Sequence, residues 1–310
     1  MPLFAPATTP HERRVALRDS LTADAITTLP GAFNPLTARL IEDLGLFSGV
    51  YVSGAVLAND LGLPDIGLTT LTEVATRAGH IARATTLPVL VDADTGFGEP
   101  MSAARTVAEF ESAGLAGCHF EDQVNPKRCG HLDGKEVVPT EVMVRRIAAA
   151  ATERRDDAFV ICARTDAAGI ESVDAAIARA KAYADAGADL IFTEALYTLD
   201  DFKRFRDAVD TPLLANMTEF GKTELIPAGT LEDIGYNAVI YPVTTLRIAM
   251  GAVEQALTDI GTTGTQTAWL DRMQHRSRLY ELVNYAGYNA VDSALFTYSP
   301  DTYGSTFDTH

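Results

Sequence analysis

Eight short runs rich in β-branched and apolar residues recur along this chain, and helix-like, alanine-rich segments separate them. The runs are AITTLPG (25–31), GVYVSG (49–54), LPVLVDAD (87–94), GCHFED (117–122), FVICART (159–165), ADLIFTEA (188–195), TPLLANMT (211–218) and AVIYPV (238–243). Each has the length and composition of a buried strand. Several are preceded by a helical pattern ending in glycine, as in FESAGLAG, AYADAGAD and LEDIGYNA, where glycine supplies the left-handed cap after a helix. Strand, helix, glycine, strand is a βα unit, and eight such units close into an α/β (β/α)8 TIM-type barrel with a parallel core. A doubly wound sheet more often has about five or six strands.

The 310 residues are read as a single (β/α)8 barrel domain, 1–310, with 264–310 as a C-terminal helical extension. After the eighth run the chain continues through TLRIAMGAVEQALTDIG and QTAWLDRMQHRSRLYELVNYAG. Only one of these helical patterns is needed to complete the last unit.

Charge narrows the partners. A net charge of −17 without clustered Lys and Arg argues against nucleic acid or an anionic membrane, because both are bound through basic patches. An acidic balance suits a salt-rich cytoplasm and an ordinary acidic enzyme alike, and it assigns no function. The chain has no apolar run of about 18 residues, and MPLFAPATTPHERRVALRDS has no apolar core behind a basic start, so a cytoplasmic location is expected. Three cysteines in a chain of this size are expected to be reduced thiols.

In such barrels the active site lies at the carboxyl ends of the strands, and here almost every run ends in polar residues, the second to the seventh. They supply Ser53; Asp92 and Asp94; Glu121 and Asp122; Arg164 and Asp166; Glu194; and Asn216 with Thr218. Asp92 and Asp94 are two apart on a strand and therefore point the same way, so they can share a hard cation, with Glu121 from the next strand joining them. Gly96 and Gly98 permit close backbone approach. The expected cofactor is Mg²⁺, with Mn²⁺ as the alternative, ligated directly by one aspartate and partly through water by the others. Zinc would prefer His and Cys. His119, in phase with Glu121, is placed either near the metal or as a hydrogen-bonded barrel residue.

The loop NPKRCGHLDGKEVV (125–138) follows the fourth run and rises from the same rim. Lys127, Arg128 and His131 surround Cys129, a setting in which a thiol ionises more readily than usual, so Cys129 is read as catalytic. Cys118 and Cys162 lie within strands and are read as small core residues.

Together YVSGA, LPDIG, VDADTGFG, HFEDQVNPKRCGH, ICARTDA, NMTEFG and YPVTTLR resemble the isocitrate lyase and phosphoenolpyruvate mutase superfamily, from about Leu29 to Tyr285. The cysteine in KRCGH places the resemblance with the carbon–carbon lyases rather than the mutases. It implies Mg²⁺-dependent retro-aldol cleavage of 2-methylisocitrate to pyruvate and succinate in the methylcitrate cycle of propionate breakdown. By the same resemblance Ser53, Gly54 and Ala55 hold the pyruvate carboxylate, and Asp92 and Asp94 hold Mg²⁺. Cys129, Gly130, Arg164, Glu194, Asn216, Met217, Thr218 and Arg247 line the substrate pocket. It further implies a homotetramer in which the late helix is exchanged between subunits, bringing Arg276 to a site. Ala55 and Thr193 depart from the family pattern, where a second glycine and a proline are frequent.

A retro-aldol cleavage needs a base for the substrate hydroxyl, an electrophile and an acid for the departing carbanion. Cys129 is the natural acid. Tyr51, in phase with Ser53, is the candidate base, with a carboxylate or a metal-bound water as alternatives. Cleavage of 2,3-dimethylmalate or isocitrate, a phosphonate mutase, and a non-catalytic carboxylate sensor are the competing functions.

Overall fold

The computed structural model describes residues 6–128 and 134–297. Contacts divide the chain into a unit spanning Pro6–Glu254 and a second unit beginning at Gln255. The first unit contains eight strands: β1 Thr27–Pro30, β2 Val50–Val52, β3 Val89–Asp92, β4 Gly117–Glu121, β5 Val160–Thr165, β6 Leu190–Thr193, β7 Leu213–Asn216 and β8 Ala238–Tyr241. Each lies inside one of the eight runs. All paired strands are parallel, in the order β1-β8-β7-β6-β5-β4-β3-β2. The remaining seam between β1 and β2 is closed by a parallel bridge between Gly31 and Tyr51, with the Ala32 amide donating to the Tyr51 carbonyl at 2.9 Å. The cylinder is the expected (β/α)8 barrel.

Alternation along the strands sorts the core into two layers. Val50, Val52, Val89, Val91, Ile161 and Ala163 face outward and pack with Val107, Phe110 and Ile147 of the helices. Leu29, Tyr51, Leu90, Val160, Cys162 and Phe192 turn inward, where Leu17 and Leu21 from the helix Pro10–Ser20 and its end join them. Cys118 and Cys162 are both fully buried, one in each layer, as small core residues. The expected caps are present: Gly114, Gly187 and Gly235 take φ of 85°, 111° and 90° after their helices, a region that costs a side chain about 1 kcal/mol or more.

The helix Thr244–Thr263 follows β8. In the second unit the remaining helical pattern divides into a 3-10 segment Thr267–Arg272, a helix Arg276–Leu282 and a helix Tyr285–Phe296. The break falls at Asn284, whose φ of 53° no α-helix accommodates. Trp269 anchors this segment locally, donating from Nε1 to Asp259 Oδ2 at 2.7 Å with the Arg272 guanidinium stacked 3.9 Å from its ring.

Candidate active site

A cavity of about 700 Å³ opens at the carboxyl ends of the strands, lined by Tyr51, Ser53, Ala55, Asp92, Arg164, Glu194, Asn216, Thr218 and Arg247 among others. Parallel register sets much of its geometry: Asp92 pairs with His119 and Glu121 with Arg164, so acid, imidazole and guanidinium stand on three adjacent strands. Tyr51 Oη lies 2.7 Å from His119 Nε2, and the same nitrogen is 3.5 Å from Asp92 Oδ1. Burial brings His119 down to about 4, so the ring is neutral near pH 7. Burial, reinforced by Asp92, pushes Tyr51 well up, which favours a phenol that donates over a phenolate.

The aspartate pair converges for a reason other than strand phase. β3 ends at Asp92, and Asp94 turns off it with φ of 46°. The Asp94 amide donates to Asp92 Oδ1 at 2.9 Å, while the Gly54 amide donates to Asp92 Oδ2 at 3.1 Å. Both carboxylates crowd Gly54: a Cβ there would stand 2.9 Å from Asp92 Oδ2 and 3.0 Å from Asp94 Oδ1. Asp94 also borders a second cavity of about 470 Å³ on its far side.

Arg164 is engaged by several carboxylates. It is bidentate to Asp166, through Nε at 2.8 Å and Nη2 at 3.1 Å, and Nη1 lies 3.3 Å from Glu121. Its guanidinium also covers the Phe192 ring at 5.1 Å. Burial opposes ionisation of Asp166, yet Arg164 and Lys135 together hold it down at about 2. Asn216 Nδ2 donates to Glu194 Oε2 at 3.1 Å, and Arg247 at the cavity mouth reaches Thr218 Oγ1 at 3.3 Å and Glu219 Oε2 at 2.7 Å.

The expected residues thus fall into groups. Tyr51, Ser53, Ala55, Asp92, Arg164, Glu194, Asn216, Thr218 and Arg247 meet in one cavity. Gly54 lies beneath Asp92, its amide already used by that carboxylate. Glu121 is buried beside Arg164. Met217 points away: its side chain packs in the outer core layer, where its sulfur accepts from the Ile226 amide at 3.2 Å. Arg276 opens the helix Arg276–Leu282 of the second unit and is exposed. Cys129 and Gly130, with His131, lie outside the described residues.

Lys127, expected beside the thiol, has two carboxylate partners. It is buried, its ammonium paired with Asp65 and 2.9 Å from Asp94 Oδ1. Arg128 is held through its backbone, its amide and carbonyl both bound by the Gln123 side chain at 2.9 and 2.8 Å. Asp65 and Lys135 are site residues that the sequence pattern did not single out. Neither ends a strand, and only the fold brings them to the rim.

The donors fit a hard divalent cation. Asp92, Asp94, Glu121, Asp122, Asp166 and Glu194 are all buried and outnumber the cations Lys127, Lys135, Arg164 and Arg179 set against them. Burial raises Asp94 to about 6 and Glu121 well above the carboxylate range, the mark of carboxylates short of positive charge. Glu121 Oε1 accepts no hydrogen bond among the described residues, and Asp94 Oδ1 faces the Lys127 ammonium. Mg²⁺ takes one or two carboxylates and keeps several waters, and Asp92 and Asp94 can supply that number.

Known proteins share this architecture. A family profile described as Phosphoenolpyruvate phosphomutase matches residues 17–261. A relative from Corynebacterium glutamicum, named Probable 2-methylisocitrate lyase 2, is 74% identical over 305 residues, covering 98% of this chain and 99% of its own. The solved structure of oxaloacetate acetylhydrolase with the inhibitor 3,3-difluorooxalacetate superposes with a TM-score of 0.87 at 32% identity, covering 94% of this chain and 100% of that one. Phosphonopyruvate hydrolase in complex with oxalate and Mg²⁺ gives 0.82 at 28% identity, covering 92% and 99%. By a profile that spans most of the barrel, and by relatives alike over nearly their whole length, the chain belongs to the phosphoenolpyruvate phosphomutase family.

Proposed function

We infer that this chain cleaves the carbon–carbon bond of 2-methylisocitrate, releasing pyruvate and succinate, and serves propionate breakdown through the methylcitrate cycle. The observation that carries the reading is the 74% identity, over nearly the full chain, to a relative named as a 2-methylisocitrate lyase. The site is compatible with it, offering Arg164 and Arg247 for carboxylates and an oxygen-rich rim for Mg²⁺, or Mn²⁺ in its place.

Asp92 and Asp94 would hold the ion, with Glu121 acting partly through water, and when bound it supplies a Lewis-acid contact to the substrate oxygens. Arg164 orients a substrate carboxylate from the β5 end, and Asn216 is fixed by Glu194 to present its amide to the cavity. Cleavage removes the hydroxyl proton, turns that C–O bond into a carbonyl and sends the C–C electron pair to the carbon that becomes succinate. Tyr51 with His119 offers a hydrogen-bonded pair on the side of Asp92, through which the hydroxyl proton can pass. A phenol raised by burial works there as a relay more readily than as a standing phenolate. Cys129 is assigned the final proton delivery to the carbanion, with Gly130 beside it; Ser53, Ala55 and Thr218 complete the substrate shell, and Gly54 supports Asp92 from beneath.

The same reading makes the enzyme a cytoplasmic homotetramer that exchanges its late helix, with Arg276 serving a neighbouring subunit's site. Its support is the apolar surface left on the late helices, where Leu257, Tyr285, Val291, Leu295 and Phe296 are exposed. Among the described residues no helix is long and apolar enough to cross a membrane.

Turnover of 2-methylisocitrate, isocitrate and 2,3-dimethylmalate, measured with Mg²⁺ and after chelation, tests the proposal. The expected result is preference for 2-methylisocitrate, loss of turnover on chelation and recovery with Mg²⁺. Preference for dimethylmalate would transfer the assignment to that activity, and undiminished turnover in a metal-free preparation would overturn the metal role.

A further inference from the structure

The geometry assigns Lys135 and Asp166 as positioning residues for Arg164, with Lys135 cancelling the charge of Asp166 so that this carboxylate orients the guanidinium without quenching it. The inference deepens the reading of Arg164 as a carboxylate-binding group and rests on it.

The arrangement starts where β5 ends. Asp166 leaves the strand with φ of −96° and ψ of 1°, which folds its carboxylate back onto the side chain two residues earlier. Its amide donates to Asp122 Oδ1 at 2.9 Å, and Asp122 is itself held by Tyr183 Oη, which donates to Oδ2 at 2.8 Å. Asp166 is therefore fixed from behind before it grips Arg164. Lys135 comes from a separate stretch of chain, placed by pairing of Gln123 with Val137 and by bonds from the Val124 amide to the Glu136 carbonyl and from the Val138 amide to the Asp122 carbonyl, each 2.8 Å. Its Nζ meets Asp166 Oδ1 at 2.8 Å, the oxygen that also accepts from Arg164 Nη2. The lysine side chain is 4% exposed and the aspartate side chain 0%.

Charge explains why a lysine belongs there. Arg164 lies among Asp166, Glu121 at 3.3 Å and Glu194 at 3.9 Å, and so many anions in a buried setting would leave its guanidinium little attraction for an incoming carboxylate. Orientation by Asp166 is still needed, since a bidentate carboxylate fixes the plane of a guanidinium. A second cation sharing Oδ1 of Asp166 keeps the orientation and restores the field toward the cavity.

Calorimetric titration with succinate in the presence of Mg²⁺, beside kcat and KM, tests this on the full chain. Lys135→Met should weaken succinate binding about tenfold and raise KM more than it lowers kcat, and Lys135→Arg should recover most of the loss. The deciding variant is the double change Lys135→Met with Asp166→Asn, which removes the uncompensated charge and keeps an acceptor for Arg164. It should bind succinate more tightly than Lys135→Met alone. A double variant equal to or weaker than the single one, or a Lys135→Met enzyme with unaltered succinate affinity, overturns the inference. Should Lys135→Met fail to fold, Lys135→Arg and the double variant carry the comparison with the wild type. A wild type that turns over none of the three acids sinks the earlier functional reading, while the succinate series still decides this one.

Discussion

Lys127 sets its ammonium 2.9 Å from Oδ1 of Asp94, inside the carboxylate cluster that fits a divalent cation. Both side chains are almost wholly buried, at 4% and 8% exposure. Removing one partner of such a pair typically costs about 3–5 kcal/mol, because the other charge is left in a poorly solvating interior. Lys127→Met should therefore lower the melting temperature, and added Mg²⁺ should raise it by more in the variant than in the wild type, since the ion then supplies the missing positive charge. Thermal unfolding of both proteins with and without Mg²⁺ checks this; equal metal-induced shifts would separate Lys127 from the ion's site.

Gly54 gives the two aspartates their room. A methyl group there would press on Asp92 Oδ2 and Asp94 Oδ1 at about van der Waals overlap, and displacing two side chains from their rotamers costs roughly 0.5–1.5 kcal/mol each. Gly54→Ala is expected to weaken Mg²⁺ binding by about tenfold with little change in the circular dichroism spectrum. Unchanged affinity by calorimetry would mean that the ion is held elsewhere.

Tyr51 shares one short hydrogen bond with His119 at the barrel's inner wall. Tyr51→Phe deletes the hydroxyl and leaves His119 Nε2 short of a partner, a stability cost of about 1–3 kcal/mol. If the pair moves the substrate proton, kcat falls by about 10²-fold or more, the usual worth of such a group, while succinate affinity holds. A variant with near-normal kcat would remove Tyr51 from the proton path.

Asp156 offers a pH test away from the site. Burial tends to raise its pKa, but hydrogen bonds from Arg14, His11 and the Ala158 amide bring it from 3.8 down to about 2. A carboxyl depressed in the folded state makes the native protein bind fewer protons than the unfolded chain, so its contribution is complete above about pH 4 and is lost as pH falls toward 2. The gap in melting temperature between wild type and Asp156→Asn should be widest near neutrality and close across that window. A gap that stays constant down to pH 2 would refute the assignment.

The barrel was legible because burial acts locally: each of the eight runs announces a strand by its own composition, and Gly114, Gly187 and Gly235 announce the turns that precede the next one. The polar strand ends were legible for the same reason, since Ser53, Asp92, Glu121, Arg164, Glu194 and Asn216 need no partner to be recognised as residues out of place in a strand. What was not legible depends on distant parts of the chain meeting. Lys127 reads as a loop cation beside a cysteine, yet Asp65, 62 residues earlier, and Asp94 claim it. Met217 sits between two rim residues, but β7 has ended at Asn216 and the methionine drops into the core. Asp94 reaches the cluster through a left-handed backbone that an alternation argument does not foresee.

Leu17 and Leu21, packed under Leu29, Leu90 and Val160 at the foot of the inner core, make the cylinder a cup rather than a pipe. Whatever reacts beside Asp92 and Arg164 arrives and departs over the same lip.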